Sequence, residues 1–252
     1  MRRAAAAALL VAAAWLAAGC AATQAEYGSV PPKRRLSDIY VPGEPTLFVD
    51  VPDPWEGFNR RMYNFNARLD RYLLVPVVEG YKRFTPDFLK AGIRNFFRNL
   101  SEISNFYNSV LQGRPLLAAR VTGRFVVNST LGLFGLLDPA TEMGLAYQRE
   151  DLGQTLGRWG VGPGPYLVLP VLGPSSARDG FGFFAGAYIT TQIDPTGYYE
   201  WASQTGHWWT YIVWGVNERA QVDFRYYETG SPFEYLLVRR LYLDLRELEI
   251  AQ

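Results

Sequence analysis

The stretch DPWEGFNRRMYNFNARLDRY, residues 53–72, decides the fold class. Phe58, Met62, Phe65, Leu69 and Tyr72 follow one another at steps of four, three, four and three, with Asn59, Arg60, Arg61, Asn64, Arg68 and Arg71 between them. That spacing predicts an amphipathic helix with a narrow apolar stripe and a cationic opposite face. The pattern repeats downstream. Thr85-Pro86 predicts a second helix start, followed by Phe88, Leu89, Ile93, Phe96, Phe97 and Leu100, with Lys90, Arg94 and Arg98 recurring every four residues on another face. Ser101 predicts the start of a third helix carrying Ile103, Phe106, Tyr107, Val110 and Leu111. Arg114-Pro115 predicts a fourth, and residues 233–248 a closing amphipathic helix rich in Arg and Glu.

Three uncharged stretches interrupt this texture. Residues 125–137 (FVVNSTLGLFGLL) are too short to span a bilayer and predict a buried or re-entrant helix. Residues 159–177 carry no charge over 19 positions, but four prolines and four glycines exclude a continuous lipid-exposed helix. The stretch GVGPGP lacks the GK[ST] of a phosphate loop, so its glycines read as turn formers. Residues 201–217, with Trp201, Trp208, Trp209, Tyr211 and Trp214, suit a helix lying along an interface. Clear strands are few, so the class is mainly α, in one domain over residues 53–250.

Working outward to the start of the chain, MRRAAAAALLVAAAWLAAGC has a basic n-region and a 15-residue apolar core ending in small residues. It reads as a signal peptide over residues 1–19. Leu16 to Cys20 resembles a bacterial lipobox, with Ala17 where leucine is commonest. The resemblance implies lipidation of Cys20, and Ala21 in place of Asp favours sorting to the outer membrane. Several acyl chains on one residue exceed what stable anchoring requires. Residues 20–52 hold five prolines and read as a lipidated N-terminus and tether. Lys33-Arg34-Arg35 within it is either a solvated linker charge or a contact with anionic headgroups.

Composition narrows the function. Of 252 residues, 7 are Trp, 16 Tyr and 15 Phe, a ring content that needs a large core, an apolar ligand or a membrane interface. Removing residues 1–19 leaves 23 basic against 24 acidic residues, so no polycation awaits nucleic acid. A single histidine, His207, and a single cysteine exclude zinc sites built from those residues and any intrachain disulfide. A Ser-His-Asp triad would have to use His207, which sits beside Trp208-Trp209 without a G-x-S-x-G elbow. The chain is not expected to be an enzyme, nor to need a cofactor or metal.

Asp53-Pro54-Trp55-Glu56-Gly57-Phe58-Asn59-Arg60, followed by Met62-Tyr63-Asn64-Phe65-Asn66, is similar to the opening signature of the VacJ/MlaA family of lipoproteins. Asn128-Ser-Thr-Leu-Gly, Leu137-Asp-Pro-Ala, and Leu156-Gly-Arg-Trp-Gly-Val-Gly-x-Gly-Pro-Tyr with Arg178-Asp-Gly continue the resemblance in order. It implies a mostly helical, ring-like domain at the periplasmic leaflet of the outer membrane, with an amphipathic channel. It also implies removal of mislocalised phospholipid from the outer leaflet, association with trimeric porins, and hand-over to a periplasmic lipid carrier protein. On that footing Arg60, Arg61, Arg94 and Arg98 are candidate headgroup contacts, since guanidinium matches phosphate bidentately. Each also reads as a solvated helix face or a structural ion pair. Gly160, Gly162, Gly164 and Pro165 are a candidate hinge or pore-rim loop, or a plain turn. The alternative function is a lipoprotein that scaffolds porins without moving lipid.

Overall fold

The computed structural model describes residues 53–204, 206–228 and 230–252; the signal peptide, Cys20 and the tether lie outside them. The opening stretch is helical as its spacing predicts. Helix α1 (Glu56–Leu69) runs through a π-helical turn (Asp70–Leu74) into α2 (Val75–Phe84). Pro76 supplies no amide to the helix ladder, and the π turn immediately before it absorbs the resulting mismatch.

Helix α3 (Asp87–Leu111) is one unbroken rod of 25 residues, about 37 Å long. The break expected at Ser101 does not occur. Its hydroxyl donates to the Arg98 carbonyl at 2.7 Å inside the helix instead of capping a new one. Helix α4 (Pro115–Thr130) begins at the predicted proline and folds back along α3, its main packing partner.

The re-entrant helix expected over residues 125–137 is corrected as well. Helix α4 ends at Thr130, and the chain enters a tight turn in which Leu133, Phe134 and Gly135 have φ of 52°, 59° and 89°. Two consecutive non-glycine residues in the left-handed region are strained. Gly132 makes the turn possible, because a Cβ there would meet the Asn128 carbonyl oxygen at 2.4 Å. Phe134 at its tip is 81% exposed.

A single helical turn, α5 (Pro139–Glu142), is capped by Asp138, and α6 (Leu152–Arg158) by Asp151. The breaker-rich stretch then forms an antiparallel hairpin, β1 (Tyr166–Leu169) with β2 (Gly173–Ser176), in the register Tyr166 opposite Ser176 and Leu169 opposite Gly173. Helix α7 (Ala177–Ile193) follows, capped by the Ser176 side chain. The aromatic stretch 201–217 divides between two helices, α8 (Tyr198–Ser203) and α9 (Trp209–Ala220). Helix α10 (Glu234–Ala251) closes the chain.

Among the described residues the interior is unusually rich in polar groups and the surface unusually rich in large apolar side chains. On α1 the buried positions are Asn59, Tyr63 and Asn66, while Phe58 and Phe65 of the apolar stripe are exposed. On α10 the buried positions include Glu234 and Arg239, while Leu237, Leu241, Leu245 and Leu248 form an exposed row. The compact apolar cluster is small: Tyr63, Tyr166, Val168, Tyr235 and Leu236. None of the described helices is long and apolar enough to cross a membrane.

Candidate functional site

Polar ties from distant parts of the chain hold this interior together. Asn59 and Asn66 lie seven residues apart on the buried face of α1, against the free edge of β1. Asn59 Nδ2 donates to the Tyr166 carbonyl and its Oδ1 accepts from Val168 N, both at 2.9 Å. Asn66 repeats the arrangement with the Leu169 carbonyl at 2.9 Å and Val171 N at 2.7 Å. The two amides satisfy an edge that no third strand covers among the described residues.

A second tie joins α3, α4 and α5. Arg124 is 1% exposed. Its Nε donates to Glu102 Oε1 at 2.7 Å, and its Nη2 reaches both oxygens of Asp138 at 3.2 Å. Its Nη1 donates to Thr141 Oγ1 at 3.0 Å and to the Leu145 carbonyl. Burial raises the Glu102 carboxyl above its ordinary range despite Asn105 and Arg124. At Asp138 burial acts in the same direction, but hydrogen bonds from Thr141, Asn128 and Arg124 outweigh it and lower the pKa.

Arg246 of α10 fastens a third tie. It reaches Asp151 Oδ1 at 2.9 Å and Asp179 Oδ1 at 3.1 Å, joining the N-cap of α6 to the first turn of α7. Burial opposes ionisation of Asp179, yet Arg178, Arg246 and Ser176 bring its pKa down to about 2.

Against the second tie lies a cavity of about 650 Å³. It is lined by Arg94, Asn95 and Arg98 of α3, by Leu131 and Leu137 of the turn, and by Asp138, Pro139, Thr141, Glu142, Ala146 and Tyr147. The helical period puts Arg94 and Arg98 side by side on the same face of α3. The Arg98 guanidinium sits 5.2 Å from the Tyr147 ring centroid, and the Tyr147 hydroxyl is 2.9 Å from Ser101 Oγ. The Arg94 Nε is buried with no hydrogen-bond partner among the described residues. An orphaned buried donor costs roughly 1–3 kcal/mol. Neither arginine is ion-paired among the described residues, although Asp138 is nearby, because Arg124 already engages that carboxylate.

Of the four arginines singled out by sequence, the fold brings Arg94 and Arg98 to this cavity and leaves Arg60 and Arg61 on α1. Arg60 is paired with Glu56 at 2.7 Å, and its guanidinium lies 4.4 Å from the Tyr235 ring centroid. Arg61 is exposed. The Gly160–Pro165 loop also lies apart from the cavity's walls. Gly160 and Gly164 have φ of 89° and 67°, and Gly162 has open space around it. The Pro165 carbonyl accepts from Ala177 N at 2.9 Å and the Pro163 carbonyl from Arg178 N at 3.1 Å, which ties the loop to the start of α7. His207 stacks on Trp201 at 4.0 Å between centroids, and its Nδ1 is 2.9 Å from the Trp201 carbonyl oxygen. Sequence reasoning missed Asn59, Asn66 and Tyr147. The signal for the first two was their placement seven residues apart, on one face of a helix.

Comparison with known proteins adds to this geometry. A family model described as MlaA lipoprotein matches residues 51–249. The intermembrane phospholipid transport system lipoprotein MlaA of Escherichia coli (strain K12) is 35% identical over 199 residues, 76% of each chain. The Haemophilus influenzae protein of the same name is 33% identical, over 65% of this chain and 64% of its own. An uncharacterized protein of Rickettsia bellii is 43% identical over 130 residues; this match spans about half of that relative's length, 51%. A chain solved in work on the structural basis for maintenance of bacterial outer membrane lipid asymmetry is similar with a TM-score of 0.64 and 32% identity, over 79% of this chain and 99% of the other. By the extent of the family match and of the identity to its members, this chain belongs to the MlaA lipoprotein family.

Proposed function

We propose that this protein is an outer-membrane lipoprotein that removes mislocalised phospholipid from the outer leaflet. It passes the lipid along an amphipathic channel, within a ring of helices, to a periplasmic carrier. The observation that carries this reading is the distribution of side chains: exposed Phe and Leu rows around an interior rich in Asn, Arg and carboxylates. Contiguous apolar surface of this kind is stable against acyl chains and costly in water. Where the polar interior meets a cavity, Arg94 and Arg98 are placed to hydrogen-bond a headgroup. Two relatives named as phospholipid transport lipoproteins support the same reading. Lipid on Cys20 anchors the chain at the periplasmic leaflet, beside trimeric porins. Moving an intact lipid breaks no covalent bond, so the reading calls for no catalytic group.

The experiment is lipid transfer from vesicles that carry the lipidated chain and a headgroup-labelled phospholipid, with a soluble lipid-binding acceptor outside. Transfer should depend on the chain and leave the labelled lipid intact. Porin co-purification without any chain-dependent transfer would replace the reading by the scaffold. Cleaved lipid would replace it by a hydrolase.

A further inference from the structure

The cavity between α3 and the Leu131–Leu137 turn joins two chemistries that a single ligand class shares. Its lining presents two guanidinium groups without a carboxylate partner among the described residues, and the Arg94 Nε is buried and unsatisfied. That positive charge is felt nearby: Arg94, with Lys90, opposes the rise that burial causes in the Tyr81 hydroxyl pKa. The lining also has an apolar part, made by Leu131 and Leu137. Leu131 is well exposed and Phe134 stands out at the tip of the same turn, so the apolar part continues outward from the cavity. Two carboxylates also line it. Asp138 is held by Arg124, Asn128 and Thr141, while Glu142 is exposed at the margin.

We infer that this cavity is a phosphate-binding station for a glycerophospholipid, a deepening that rests on the lipid-transport reading above. Arg94 and Arg98 hold the phosphodiester, with Arg94 Nε donating to one of its oxygens, and Leu131 and Leu137 take the root of an acyl chain. The geometry favours a diester over a free phosphate. A free dianion would bring its second charge toward Glu142 and leave the leucines unused. Arg98 is steadied for this role by the Tyr147 ring, which Ser101 holds in place through its hydroxyl. Arg60 is excluded from it, being already committed to Glu56 and Tyr235.

The test uses the full lipidated chain in mild detergent. Native mass spectrometry titrates phosphatidylglycerol in micelles, in competition with inorganic phosphate, against the wild type, R94Q/R98Q, R94K/R98K and R60Q. Folding is checked by far-UV circular dichroism. Removing a charge-assisted hydrogen bond should weaken retention by about tenfold. R94Q/R98Q should therefore bind at least ten times more weakly, R94K/R98K in between, and R60Q as the wild type does. Inorganic phosphate at millimolar concentration should compete poorly. Equal lipid binding by folded R94Q/R98Q and wild type overturns the site while leaving the transport reading intact. Competition by phosphate, with arginine-dependent phosphate binding but unchanged lipid binding, reassigns the site to free phosphate. Absence of lipid binding by the wild type overturns both readings.

Discussion

Replacing Arg124 by methionine tests the claim that the interior is organised by charge. The guanidinium is almost wholly enclosed and bonds Glu102, Asp138, Thr141 and a carbonyl. Methionine fills most of its volume but leaves Glu102, itself 1% exposed, with only Asn105 at 2.8 Å. Removing one partner of a buried pair costs about 3–5 kcal/mol, mostly from the uncompensated charge. For a domain of this size that lowers Tm by roughly 6–20 °C. The sign with pH follows from Glu102, whose carboxyl is already raised by burial and rises further once Arg124 is gone. A group raised in the folded state favours folding below its unfolded pKa and loses that contribution as pH rises through the folded pKa. The R124M deficit should therefore be smallest below the ordinary glutamate range and grow as pH rises above it. Adding E102Q to R124M should recover part of the loss, because it removes the stranded charge. The assay is urea unfolding in mild detergent, followed by tryptophan fluorescence, for both single variants and the double. An R124M cost below about 1 kcal/mol, or an E102Q change that adds to it, would refute the reasoning.

Other outcomes follow from the same geometry. Asn66→Ala strands the Leu169 carbonyl and Val171 amide and should cost about 1–3 kcal/mol, with faster hydrogen exchange at Val171 as the local signature. Asp179 is depressed to about 2, so its contribution is full above the ordinary aspartate range and is lost as pH falls through its folded value. Tm should fall between about pH 4 and pH 2, and D179N should flatten that slope. Leu241→Asp with Leu245→Asp alters side chains that are half exposed, 50% and 58%, so it should leave urea stability within about 0.5 kcal/mol yet abolish vesicle flotation of the unlipidated chain. Cys20→Ser should leave the chain without lipid by intact mass and lower its share of the outer-membrane fraction.

Local signals were legible because they depend on neighbours along the chain. Proline at the start of α4, the spacing in residues 56–69 and the absence of an unbroken apolar span over 159–177 each express a short-range rule. Where local rules compete, the outcome lay elsewhere. Ser101 is as good a helix cap as a helix interior residue, and packing of α3 along α4 settled it as the latter. Residues 131–137 carry apolar side chains that suit a helix, but Gly132 and Gly135 allow the backbone to double back against Asn128 and Asn99. The hairpin was hidden because a four-residue strand flanked by prolines has little signal, and its outer edge is completed by asparagines more than 100 positions away.

The residue order alone was enough for the helical class and the amphipathic faces, which are written in spacing, and for the family, which is written in its ordered motifs. It placed four arginines on equal terms. Glu56 lies one helical turn before Arg60 and takes it, a local pairing, but only the tertiary structure gave Asp138 to Arg124 and left Arg94 and Arg98 together without an ion pair among the described residues. The direction of each apolar stripe was decided in the same way. An amphipathic helix turns either face inward, and on α1 and α10 polar residues pair in the interior, which leaves Phe58, Phe65 and the leucine row of α10 exposed, while α3 and α4 bury Leu100, Ile103, Leu117 and Val121.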